Sequence, residues 1–202
     1  MRLLFGLLRE APRIALPALI GVGLASFGSR RVFAAPPPEP QGYRLLDYKS
    51  PVPATLNGAR VLTTAQAFAL WSKGSATFID VLPQAPRPAG LPPQTIWRDK
   101  PRQDIPGSLW LPDTGYGELH PSVQAYFANG LRRASQGDRT HSLVFYCLAE
   151  CWQSWNAAKR ALSLGYSTVL WYPDGTTGWE AEGHPLETRT AEPRPGEVKS
   201  EE

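Results

Sequence analysis

Hydrophobic and polar positions alternate in blocks along the chain, and the blocks predict a regular α/β order. Five short apolar or aromatic runs read as strands: Arg60–Thr63, Thr77–Val81, Ser108–Leu111, Ser142–Tyr146 and Thr168–Tyr172. Longer stretches between them read as helices. Thr63-x-x-Gln66 forms a capping-box pattern and opens a helix from Thr64 to about Lys73. Pro121 to Arg133 suits a second helix, and Ser154 to Leu164 a third. In the third, Ala158, Ala161, Leu162 and Gly165 fall on one face at helical spacing. Strand alternating with helix implies a central, mostly parallel five-stranded sheet flanked by helices. Phe78, Ile79, Val81, Leu143, Val144, Phe145, Val169 and Leu170 are its expected core.

Three stretches break the rhythm. Residues 35–56 are rich in proline and polar side chains and read as a linker and amino-terminal extension, with an anchored end at Tyr43–Tyr48. Pro83 to Gln103 carries six prolines together with Arg87, Arg98, Lys100 and Arg102. A loop of that length in a compact domain is a functional lid or a disordered insert, its charges solvated or, in the sharper alternative, forming a basic lid over an anionic site. Residues 188–202 are polar and aperiodic and read as a disordered tail, so the domain is expected over 57–187.

Residues 1–34 resemble an export signal. Arg2, Arg9 and Arg13 precede the apolar stretch Ile14–Phe27, and Val32-Phe33-Ala34 offers small residues for cleavage. The apolar stretch is short for a spanning helix, which needs about 20 residues. A periplasmic protein without stable membrane insertion is the expectation. The segment also explains the basic balance. The chain of 202 residues is formally +3, but five arginines against Glu10 place +4 in the first 34 residues, leaving −1. Nucleic-acid binding loses its electrostatic argument.

Both cysteines lie in Leu143-Val-Phe-Tyr-Cys147-Leu-Ala-Glu-Cys151-Trp152, where a strand gives way to a helix. Ligands and chemistry gather at the carboxyl ends of strands in open α/β sheets. N–H groups there, with the helix dipole, favour a thiolate. The spacing permits a disulfide in an oxidising compartment, near the upper end of the allowed Cα separation. The competing reading makes the cysteines small core residues.

The ordered motifs resemble a rhodanese-type domain. Phe78-Ile-Asp80-Val81, Ile105-Pro-Gly107-Ser108, Val144-Phe-Tyr-Cys147, Leu162-x-x-Gly165-Tyr166 and Gly175-x-x-x-Trp179 stand in the family's order over residues 60–187. Tyr146-Cys147-Leu-Ala-Glu-Cys151-Trp152 through Arg160, with Trp171-Tyr-Pro-Asp-Gly175, resembles more closely the exported rhodanese-like proteins named for a Cys-x-x-Cys-Trp motif and associated with PQQ-dependent alcohol catabolism. This chain has three residues between its cysteines where that label has two.

The resemblance implies sulfur transfer or thiol–disulfide chemistry at Cys147 and Cys151, within a loop of Leu148, Ala149, Glu150, Trp152 and Gln153. Cys147 would carry a persulfide and Cys151 would resolve it. The loop has no glycine and no arginine, and Glu150 adds a negative charge. The missing arginine also argues against phosphatase chemistry. Asp80, at a strand end, could support the loop or bury its carboxylate against N–H groups. The resemblance further implies a periplasmic PQQ-dependent dehydrogenase or its cytochrome as partner. The alternative is a non-catalytic adaptor presenting Trp152, Trp155, Trp171 and Trp179. His120, His141 and His184 are scattered without metal-ligand spacing, so no metal or other cofactor is expected.

Overall fold

The computed structural model describes residues 35–86, 88–92, 94–96 and 100–194. The candidate export segment, Arg87, Arg98 and residues 195–202 of the expected tail lie outside them. In chain order the elements are β1 (Arg60–Val61), α1 (Thr64–Ser72), β2 (Thr77–Asp80), β3 (Arg102–Asp104), β4 (Leu109–Trp110), α2 (Pro121–Ala134), β5 (Leu143–Tyr146), α3 (Trp152–Ser163), β6 (Val169–Trp171), α4 (Gly175–Ala181) and β7 (Glu187–Arg189).

Five strands form one parallel sheet in the order β1-β6-β5-β2-β4. They are the five apolar runs of the sequence. β5 is central, and its side chains alternate between two cores as strand geometry requires. Leu143 and Phe145 join one cluster with Phe127 of α2 and Trp155, Ala158 and Ala161 of α3. Val144 and Tyr146 join the other with Ala67 of α1 and Trp179 of α4. All eight expected core residues are buried. Leu162 is half-buried and packs against the first cluster. The capping box at α1 is present in both directions, Thr63 with Gln66.

The second sheet, β3 paired antiparallel with β7, was not expected. β3 lies at the end of the proline-rich insert and β7 spans the start of the expected tail. Residues 188–194 are tied down there: Thr188 and Arg189 pair with β3, and the Glu192 N–H donates to the Trp110 carbonyl at 2.9 Å. Short polar strands lack the apolar signature of a buried run, because ladder hydrogen bonds hold them instead.

Residues 35–56 also depart from a linker. Leu56 is buried in the core, and residues 43–52 lie along α3 as a strap. Asn156 acts as a substitute strand edge: its side chain accepts from the Arg44 N–H at 2.9 Å and donates to the Arg44 carbonyl at 2.9 Å. Arg160, buried on the same helix, donates to the carbonyls of Thr114, Tyr116 and Gly117 and lies over the Tyr43 ring. No helix among the described residues is long and apolar enough to cross a membrane.

Candidate functional site

β5 ends at Tyr146, so the next residue, Cys147, emerges at the carboxyl edge of the sheet centre. Cys151 is the N-cap of α3, and the two are joined by a disulfide with their Cα atoms 6.4 Å apart. The loop between them turns at Glu150, whose φ of 52° lies in the left-handed region. That single non-glycine residue in a strained conformation lets Cys151 fold back toward Cys147. Glu150 is exposed, so its charge is solvated rather than aimed at sulfur.

The helix N-terminus therefore belongs to Cys151 rather than Cys147. No side chain caps α3, and the Cys151 Sγ sits 3.2 Å from the Gln153 side-chain oxygen. The Cys147 Sγ instead faces carbonyl oxygens, those of Cys151 at 3.5 Å and Leu148 at 3.8 Å. The expected cradle of N–H donors around Cys147 is absent in this oxidised arrangement. Cys151 holds the N-cap position, but its sulfur makes no hydrogen bond to the free N–H groups of the helix.

Two shells hold the loop. On one side lies the strap: Lys49 forms a β-bridge with Cys151, the Ser50 N–H donates to the Glu150 carbonyl at 3.1 Å, and the Trp152 N–H donates to the Tyr48 carbonyl at 2.9 Å. The Trp152 indole N–H is shared between Ser50 Oγ and the Pro51 carbonyl, both at 3.0 Å, with the Arg44 guanidinium over its ring. Both cysteines are buried under this cover.

On the other side the Cys147 carbonyl accepts from the Thr176 N–H at 3.0 Å. Gly175 must be glycine here, because φ is +51° and a Cβ would overlap the Cys147 carbonyl. The Ala149 N–H donates to Thr177 Oγ1 at 3.2 Å, and Leu148 bridges to Gly175. These contacts give a structural reason for the Gly175-x-x-x-Trp179 pattern.

Sequence reasoning missed the cation. Arg102 reaches the loop from β3, 45 residues before Cys147. Its Nε donates to Asp80 at 2.7 Å, and Nη2 donates to Thr176 Oγ1 at 2.8 Å and approaches the Cys147 carbonyl at 3.5 Å. Asp80 is buried and also accepts from the Leu82 N–H at 2.7 Å, so its carboxylate is set against an N–H group and reaches the loop only through Arg102. Arg102 was legible only as one of several basic residues in the insert. It lines a cavity of about 500 Å³ with Leu148, Thr176, Thr177 and His184.

Beneath Arg102, Asp104 accepts from the Ile105 N–H at 2.9 Å and from the Tyr146 hydroxyl. Burial and the neighbouring Asp80 charge push its carboxyl up to about 7. Burial and the same carboxylates raise the Tyr146 hydroxyl far above its ordinary range. Asp80 is raised too, burial outweighing Arg102. The adaptor's aromatic surface does not exist: Trp152, Trp155, Trp171 and Trp179 are all buried. Their large rings fill the space under the strap and against both faces of the sheet, which is where aromatic area is most stabilising.

No protein-family model matches the chain, and no curated protein matches it. Solved structures resemble it. One is a protein of unknown function from Rhodopseudomonas palustris described as a possible tyrosine phosphatase, 25% identical over 64% of this chain and 85% of that one, with a TM-score of 0.40. A second is the polysulfide-sulfur transferase homodimer of Wolinella succinogenes, 17% identical over 66% of this chain and 81% of that one, with a TM-score of 0.41. A third is the thiosulfate sulfurtransferase of Pseudomonas aeruginosa, 18% identical over 69% of this chain and 22% of that one, with a TM-score of 0.46.

Proposed function

We propose that this chain is a rhodanese-like protein that works through its cysteine pair, cycling between the Cys147–Cys151 disulfide and a dithiol that handles sulfane sulfur. One observation carries the reading. Both cysteines of the chain meet in a disulfide at the carboxyl end of the central strand, where this sheet architecture puts chemistry. In the reduced state the Cys147 thiolate attacks the outer sulfur of a thiosulfate or polysulfide. The donor's S–S bond breaks and sulfite or a shorter polysulfide leaves. The Cys151 thiolate then attacks the inner sulfur of the Cys147 persulfide. The disulfide forms and hydrogen sulfide departs, taking the sulfane sulfur with the electron pair of the broken bond. A dithiol reductant restores both thiols and is itself oxidised to a disulfide.

Export to the periplasm and an accessory place in PQQ-dependent alcohol catabolism, beside a quinoprotein dehydrogenase or its cytochrome, belong to the same proposal. They are supported by the charged and apolar pattern of residues 1–34 and by the motif running from Tyr146 to Arg160. A second reading, a binding module, is favoured by one observation. Leu45 and Leu46 at the tip of the strap are 51% and 73% exposed.

Mass spectrometry of reduced protein exposed to thiosulfate or polysulfide, with thiols trapped, separates the two. The proposal expects Cys151→Ser to retain one extra sulfur on Cys147, the parent chain to return to the disulfide with sulfide released, and Cys147→Ser to do neither. If no variant gains sulfur, while Leu45→Asp with Leu46→Asp abolishes alcohol-dependent growth, the binding module stands instead.

A further inference from the structure

A buried charged group under the cysteine loop is used by none of the steps above. Asp80 and Asp104 are both buried, and Arg102, two residues before Asp104 on β3, is ion-paired with Asp80. Both Asp80 oxygens are taken, Oδ1 by the Leu82 N–H and Oδ2 by Arg102 Nε. Asp104 Oδ1 accepts from the Ile105 N–H and the Tyr146 hydroxyl, which in turn lies 2.6 Å from Ser108 Oγ. Asp104 Oδ2 is buried and no donor points at it. Asp80 pairs with Tyr146 in the β2–β5 register and the Tyr146 hydroxyl donates to Asp104, which brings the two carboxyls to the same end of the sheet. A buried carboxylate oxygen without a donor is costly, whereas a carboxylic O–H there becomes a donor itself.

We propose that Asp104 is a positioning residue of the cysteine site: its carboxyl holds a proton, leaving Asp80 as the single carboxylate that aims Arg102 at the Cys147 carbonyl and Thr176. The inference rests on the cysteine-pair reading only for what the loop does once it is held.

The charged and titratable neighbours of Asp104 are few. Asp80 faces it from β2, Arg102 shares its own strand, and Tyr146 faces it from β5. Across the β3–β7 ladder, Glu187 stands opposite Asp104 and Arg189 opposite Arg102. Glu187 is engaged by the Gly107 N–H and by Arg189, each at 2.6 Å. Among the described residues, Arg102 is the cation whose charge acts on both buried carboxyls. When Asp104 is protonated, the group holds one negative and one positive charge. Burial and the Asp80 charge keep the proton on Asp104 up to about pH 7. As pH rises through that point, a second carboxylate competes for Arg102 and loosens its hold on the loop.

Carboxyl carbon NMR of the full chain reads the proton directly. A buried carboxyl resonance with a midpoint near 7 is expected in the parent and missing from Asp104→Asn, which keeps a donor but cannot titrate. Tyr146→Phe removes a donor to the charged form and should raise that midpoint further. The second readout is the rate of disulfide reduction by a water-soluble phosphine, as the ratio of parent to Asp104→Asn. The ratio should stay near unity at pH about 5.5 and move by roughly threefold at pH about 8.5, because only the parent changes charge. A midpoint near the ordinary 3.8, a midpoint that Tyr146→Phe leaves in place, or a ratio flat with pH overturns the proposal. A chain that never carries extra sulfur would leave all three readouts intact, so this failure is separate from that of the sulfur chemistry.

Discussion

The Cys147–Cys151 loop is held from two sides by two kinds of chemistry. The strap side is backbone hydrogen bonding and buried aromatic area, with Tyr48, Lys49 and Ser50 laid against Cys151 and Trp152. The opposite side is charge in a dry setting, with Arg102 paired to buried Asp80 and reaching the Cys147 carbonyl, and buried Asp104 two residues along the same strand. The strap packs against the Cys151 end of the loop through main-chain bonds and the Trp152 ring. The arginine group sets the charge environment without covering sulfur. Access and reactivity are thus governed by different residues, and each can be removed while the other stands.

The largest effect should come from the strap side. Trp152→Ala removes a buried ring and the indole N–H that ties Ser50 and Pro51, and should cost about 3–5 kcal/mol in urea unfolding. The same change should let a bulky dithiol reduce the disulfide faster. On the charged side, Arg102→Leu leaves Asp80 buried without its cation, for a cost of about 3 kcal/mol at neutral pH. That cost should shrink as pH falls and Asp80 takes up a proton, whereas the Trp152→Ala cost should not. If both variants respond to pH alike, the two-sided account fails. Asn156→Ala returns to the strap, unpairing both polar groups of Arg44, and should cost about 1–3 kcal/mol with faster reduction but an unchanged pH profile.

The smallest effect per step is the proton itself. Asp104 binds its proton more tightly folded than unfolded, since its carboxyl rises from the ordinary 3.8 to about 7. Stability from this group is full below the unfolded value and is lost as pH rises toward about 7. The slope is at most about 1.4 kcal/mol per pH unit for one proton. Asp104→Asn should flatten that part of the curve, as read by unfolding midpoints across the range.

The sheet was legible because each of its strands is a short apolar run, and burial on both faces leaves little else that such a run can be. The helices followed from local signals, a capping box at Thr63 and an apolar face on Ala158 and Ala161. β3 and β7 were not legible, because Arg102-Gln-Asp104 and Glu187-Thr-Arg189 are polar and are strands only by pairing with each other. The strap escaped for a related reason. Its bonds are made by main-chain groups of Arg44, Tyr48 and Ser50, and their sequence shows only polar and proline-rich composition. At the site, Cys147 and Asp80 were legible from their positions at strand ends, and Cys151 from its spacing to Cys147. Arg102 and Asp104 were not, since the chain supplies the loop's cation from 45 residues away. Proximity in sequence was also misleading for Cys147, because the turn at Glu150 hands the helix terminus to Cys151.

The account's central claim is that the Cys147–Cys151 bond is opened and closed in use. Its reduction potential, measured by equilibrating the full chain against defined dithiol–disulfide buffers and counting trapped thiols, tests that claim most directly. A working pair should fall at about −270 mV or above, in the range of thiol–disulfide catalysts. A value below about −300 mV would place it among static cross-links and contradict the account.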